Sequence, residues 1–216
     1  MSDLNDIAHA CLLYDNSNDK KAVVLPFIRD GLRKGEHCVF MTNERSQYDW
    51  CLEFQAYGID VKEELQKGAL TIDTGENWRG TDGFRSLAQA RELWNALEPR
   101  LDAFTGVRIV GDAEWVRLEP RLTDGQLCHW EATADLLYQG EAIRTICMYD
   151  LDRHSPSELR AALRTHPTAL VAGRQYANPH YEASRILENE PHLNGSVADR
   201  AFLNDMLMQL ESVTVC

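Results

Sequence analysis

"YDNSNDKKAVVLPFIRDGLRKGE", residues 14–36, has the layout of a nucleotide-binding opening from which the glycines are missing. The apolar run at residues 10–14 leads into a polar turn, then into a helix carrying Val23, Val24, Phe27, Ile28 and Leu32. A working phosphate loop reads GxxxxGK followed by Ser or Thr. Glycine lets backbone N–H groups turn in around the phosphates, and the hydroxyl reaches magnesium. Here only the lysine remains, at Lys20; Tyr14 and Asp19 stand at the glycine positions and Lys21 at the hydroxyl position. Asp15 and Asp19 would add negative charge where phosphate must lie. The stretch therefore sets the fold class while arguing against an NTPase.

The remainder of the chain repeats the same alternation. Short apolar runs at residues 37–41, 70–73, 107–111, 145–149 and 169–171 predict further strands, several of them apolar throughout, as strands buried on both faces should be. Helical spacing is found at residues 21–33, 47–57, 83–101, 126–138 and 157–165, the last opened by Ser155-Pro156. The expectation is an α/β fold with a mostly parallel central sheet and helices on both faces. Residues 1–181 are expected to form one domain and residues 182–216 a helical tail interrupted by Pro191 and Asn194-Gly195. In that tail Phe202, Leu203, Met206, Leu207 and Leu210 fall on one helical face, to be covered by the domain, a second copy or a partner.

Composition narrows the function. The 216 residues are 44% apolar and 26% charged, enough for one full core. The net charge of −12, from 34 acidic against 22 basic residues, opposes direct nucleic-acid binding and attachment to an anionic membrane. No apolar run approaches the roughly 20 residues that span a bilayer, and no basic segment precedes one near the N-terminus, so a cytoplasmic location is expected. Six cysteines without a CxxC pair read as reduced, mostly buried side chains.

Six segments in order carry a family resemblance: "HACLLYDNSNDKKAVVLPFIRDGLRKGEHCVFMTNE" (9–44), "VRIVGDAEW" (107–115), "HWEATADLL" (129–137), "ICMYD" (146–150), "LRTHP" (163–167) and "NPHY" (178–181). Together they resemble the MEDS domain, the methanogen/methylotroph DcmR-type sensory domain. That resemblance implies a RecA/KaiC-like three-layer sandwich with a degenerate phosphate loop. It also implies a non-catalytic sensory or regulatory role, in which a small organic ligand, of the hydrocarbon-derived kind, is bound. The signal is then expected to pass by contact to a partner such as a histidine kinase or regulator, or within a homodimer. A protein-interaction module without ligand and residual nucleotide binding through Lys20 are the alternatives.

In open parallel sheets ligands sit beyond the carboxyl ends of the strands. That rule selects Tyr14, Lys20, Asp112, Glu114, Trp115 and Tyr149, with Asp112 and Glu114 free to meet a polar ligand, Lys20 or Arg108, and with Trp115, Trp130, Tyr14 and Tyr149 as pocket walls. The resemblance adds His9 and Cys147, which match its leading histidine and its strand cysteine, and Glu131, expected to fix a helix start or meet a basic group. His166 is expected to bond the last carbonyls of its helix, where a protonated imidazole also suits the dipole. One His and one Cys fall short of the three or four donors of a zinc site, so His9 and Cys147 are only weak metal candidates and no cofactor is expected.

Overall fold

The structure is a computed structural model that describes residues 4–42, 44–73, 95, 99–114 and 124–189. The expected helix at 83–101, Trp115 and the apolar face at 202–210 lie wholly or almost wholly outside the described residues. Seven strands form one sheet in the order β3-β2-β4-β5-β1-β6-β7. They are β1 (His9–Tyr14), β2 (His37–Met41), β3 (Leu70–Asp73), β4 (Val107–Asp112), β5 (Ile143–Asp150), β6 (Thr168–Val171) and β7 (Arg174–Ala177). All pairings are parallel except β6 with β7.

Among the described residues the helices include α1 (Ser17–Arg33), α2 (Glu44–Ala56), α3 (Val61–Gln66), α4 (Asp124–Tyr138), α5 (Pro156–Thr165) and α6 (Ala183–Asn189). Their ends follow local chemistry. Asn16 caps α1 by accepting from the Asp19 N–H at 2.9 Å, which starts the helix four residues before the apolar periodicity does. Gly35, at φ 74°, ends it: the Gly35 and Glu36 N–H groups donate to the carbonyls of Leu32 and Gly31, and the chain turns directly into β2. Ser155 and Glu158 form a reciprocal capping box at the start of α5, with Pro156 in its first turn.

Strand parity then assigns the layers. Ala10, Leu12, Cys38, Phe40, Val110, Ile146 and Met148 pack with Val24, Phe27, Trp50, Phe54 and Val61 of α1, α2 and α3. The alternate residues, among them Cys11, Leu13, Val39, Ile109 and Tyr149, pack under α4, α5 and α6. This is the three-layer sandwich expected from the sequence. The beginning of the expected tail, α6, belongs to the second layer, with Ala183 and Ile186 buried. Two elements were not expected. The short α3 depends on Asp60 as its cap, and β7 follows a two-residue turn in which Ala172 adopts φ 47°, a conformation an alanine does not advertise.

Arg108 of β4 is fully buried, its Nε donates to the Glu36 carboxylate and its Nη1 donates to the Phe27 carbonyl at 2.8 Å. The sequence had offered Arg108 as a partner for Asp112 or Glu114; instead it points into the α1 layer, and Glu114 meets Arg153 at 2.7 Å. Gly31 makes room for this pair, since a Cβ there would lie 2.6 Å from Arg108 Cδ and 2.7 Å from Cys38 Sγ. Alanine is the better helix former by about 1 kcal/mol, but neither neighbour can retreat without breaking a buried contact. Gly31→Ala is therefore predicted to lower stability by about 1–3 kcal/mol, read as a lower urea midpoint at unchanged slope.

Candidate functional site

The expected site residues separate into two groups on opposite faces of the sheet. Tyr14, Lys20 and Asp112 lie on the α1 side at the carboxyl edge. The Lys20 ammonium sits over the rings of Tyr14 and Trp50, 4.7 and 5.6 Å from their centroids. Burial raises the pKa of Asp112, whose Oδ1 accepts from the Glu114 N–H at 3.0 Å while Lys20 pulls in the opposite direction.

The second group lies on the other face, beneath α4. His9 starts β1, Cys147 is in the middle of β5, Glu131 is in the middle of α4 and His166 follows α5. Residue 11 is opposite residue 147 in the β1–β5 register, so His9 and Cys147 share a face one alternation apart. His9 Nε2 lies 3.7 Å from Cys147 Sγ; Glu131 Oε2 lies 3.9 Å from Cys147 Sγ and 3.8 Å from His166 Nε2. The two imidazoles lie with centroids 4.0 Å apart and planes tilted by 40°.

His9, Glu131 and His166 are held from behind. His9 Nδ1 lies 3.0 Å from the Asp135 carboxylate, which accepts from its N–H and turns Nε2 toward the cluster. Asp135 in turn accepts from the Tyr181 hydroxyl at 2.6 Å and from Gln139 at 3.0 Å. Glu131 Oε1 accepts from the Tyr149 hydroxyl at 3.0 Å. Burial, then the Glu131 charge, holds that hydroxyl well above its ordinary pKa, so it stays a donor.

Two expectations are corrected by this geometry. Glu131 does not open a helix, because α4 begins seven residues earlier, and it turns inward to Tyr149, Cys147 and His166. His166 does bond a carbonyl of its helix, Nδ1 donating to Ala162 at 2.7 Å. It does so as a neutral ring, since full burial, followed by the nearby His9, lowers its pKa well below the ordinary value.

Asp135 and Tyr181 were not singled out from the sequence. Asp135 had a signal, being one helical turn after Glu131 in "HWEATADLL", where positions four apart share a face. Tyr181 was visible only as part of "NPHY".

Beside the cluster is a cavity of about 40 Å³ between the sheet and α4. Met41, Ile109 and Trp130 supply apolar wall; His9, Thr145 and Cys147 supply polar wall. The Thr145 Oγ1 is buried and makes no hydrogen bond.

The comparisons with known proteins agree with this architecture. One solved structure similar to the chain is a KaiC-like protein from the hyperthermophilic archaeon Pyrococcus horikoshii OT3, with a TM-score of 0.50 and 17% identity over 76% of this chain and 71% of that one. The fold is thus KaiC-like, in the RecA class. The family description MEthanogen/methylotroph, DcmR Sensory domain (MEDS) matches residues 8–167, and the chain belongs to that sensory family. No curated protein matches it. Among the described residues no helix is long and apolar enough to cross a membrane.

Tyr149→Phe removes one donor from a buried carboxylate without changing the shape of the side chain. It is predicted to cost about 1–3 kcal/mol in denaturant unfolding. A change within about 0.5 kcal/mol would mean that the Tyr149–Glu131 bond does not position the cluster.

Proposed function

We propose that the protein senses a small organic molecule in the cavity under α4. The observation that carries this reading is Thr145: a buried hydroxyl with no hydrogen-bond partner on the wall of a cavity, in a chain of a sensory family. A group of this kind costs free energy unless something completes it. About 40 Å³ is room for roughly three water-sized groups, which fits a molecule of one or two carbons with one polar atom. Its apolar part would rest on Ile109 and Trp130, and its polar atom would reach Thr145 or the thiol and imidazole edge.

Binding would be reported through α4. Trp130, Glu131, Ala134 and Tyr138 of that helix all line the cavity, Asp135 holds His9, and α6 packs on α4. A ligand that prefers one setting of α4 would shift the population toward it, and the surface would pass the change to a second copy or a signalling partner such as a histidine kinase or regulator. No reaction is needed for that output, and the non-catalytic reading is retained. The first loop is read as a degenerate phosphate loop kept for structure, supported by Lys20 resting on Tyr14 and Trp50 and by Asp15 and Asp19 on the turn.

A panel of one- to three-carbon alcohols, aldehydes, carboxylates and halides, screened by thermal shift and followed by calorimetry, tests this directly. Thr145→Val is predicted to leave ligand-free stability unchanged or slightly higher, because the hydroxyl it removes is unsatisfied, while weakening the ligand by about tenfold. Gly111→Val, which projects two methyl groups into the same space, is predicted to abolish binding in a folded protein. Unaltered affinity in both variants would remove the cavity from the account.

A further inference from the structure

We propose that His9, Glu131, Cys147 and His166 together bind one divalent cation of the zinc class. The proposal does not rest on the organic ligand; it stands on the donor atoms. One ligand atom from each of the four lies within 4.8 Å of all the others. A tetrahedral zinc ion with bonds of about 2.0–2.3 Å sets its ligand atoms about 3.4–3.6 Å apart. The closest approaches here are 3.7 Å for sulfur to His9, 3.9 Å for sulfur to carboxylate and 3.8 Å for carboxylate to His166. These are poor distances for hydrogen bonds; shifts of a few tenths of an ångström bring these three to coordination spacing, and the wider separations, up to 4.8 Å, close by about an ångström as the side chains draw in around the ion.

Three of the four donors have the backing that metal ligands need. Both histidines present Nε2, because both Nδ1–H groups are occupied behind, His9 by Asp135 and His166 by the Ala162 carbonyl. Glu131 presents Oε2, because Oε1 accepts from Tyr149. Independently of the clustering, His166 Nε2 is buried, is aimed at these atoms and has no hydrogen-bond partner. A neutral imidazole nitrogen left bare in the interior is unfavourable by itself and is satisfied by a cation.

Charge closes the argument. On binding, the Cys147 S–H bond breaks, its proton leaves to solvent, and the thiolate and carboxylate together offset the two positive charges among neutral histidines. Four protein donors fill a tetrahedron, which is the arrangement of a structural or regulatory ion rather than a catalytic one.

The test is a Co²⁺ titration of full-length protein first dialysed against chelator. A cobalt–thiolate charge-transfer band is expected, saturating at one equivalent and bleached by one equivalent of Zn²⁺. Cys147→Ser must lose the band while keeping its circular dichroism. Asp135→Asn, which touches the donor set at His9 and also meets Tyr181 and Gln139, is expected to weaken Co²⁺ binding by about 10–100-fold with its circular dichroism and urea midpoint kept. Zinc-edge absorption on the loaded wild-type protein needs no variant and should show one sulfur with nitrogen and oxygen neighbours. Folded wild-type protein without a saturable band, a band that survives in Cys147→Ser, or a zinc shell lacking sulfur overturns the proposal.

Discussion

The contact on which the rest of the structure depends is the one between His9 and Asp135, 3.0 Å apart and both withdrawn from water. A carboxylate removed from solvent is costly unless partners complete it, and Asp135 has the imidazole, the Tyr181 hydroxyl and the Gln139 amide. Those partners come from the start of β1, the segment before α6, and the turn that follows α4. Satisfying one carboxyl thus fixes where α4 crosses the sheet and brings residues 126 positions apart into one network. Glu131, one turn earlier on the same helix, is then placed over Cys147 and His166 without further adjustment.

A parallel sheet buried on both faces has two independent interiors, and this chain uses them differently. The α1 side is an apolar core stiffened by the buried Arg108–Glu36 pair. The α4 side carries the titratable cluster and the cavity. General rules for open parallel sheets direct attention to the carboxyl edge, where Tyr14, Lys20 and Asp112 lie. The densest chemistry lies instead against the face of the sheet, beneath a helix that shields it from water. In a low-dielectric interior each of those polar groups is strongly coupled to its neighbours, and so a small displacement of one would be felt by all.

Much of the fold was legible because its signals are local. Continuous apolar runs gave the six parallel strands within a residue or two, and Ser155-Pro156 gave the start of α5. The short α3 was missed because a six-residue helix has too few turns to show a period, and β7 because "RQYA" is a largely exposed edge strand with no apolar run, although Gly173, at φ 70°, marks its turn. The site was legible as a set of residues and not as a geometry. The resemblance brought forward His9, Glu131 and Cys147 and the helix end brought forward His166, but their convergence depends on the β1–β5 register and on the crossing of α4, which no local pattern encodes. Asp135 was passed over because an acidic residue on a helix ordinarily reads as a solvated face.

The central claim is that the working part of the molecule is the cavity and polar cluster between the sheet and α4, and not the loop after β1. Amide and indole chemical-shift mapping, with the small organic compound that binds in solution, tests it most directly. The account predicts that the largest shifts fall on Gly111, Ala134, Thr145, Cys147 and the Trp130 indole. Shifts concentrated on residues 15–21 instead would contradict it and return the first loop to a ligand-binding role.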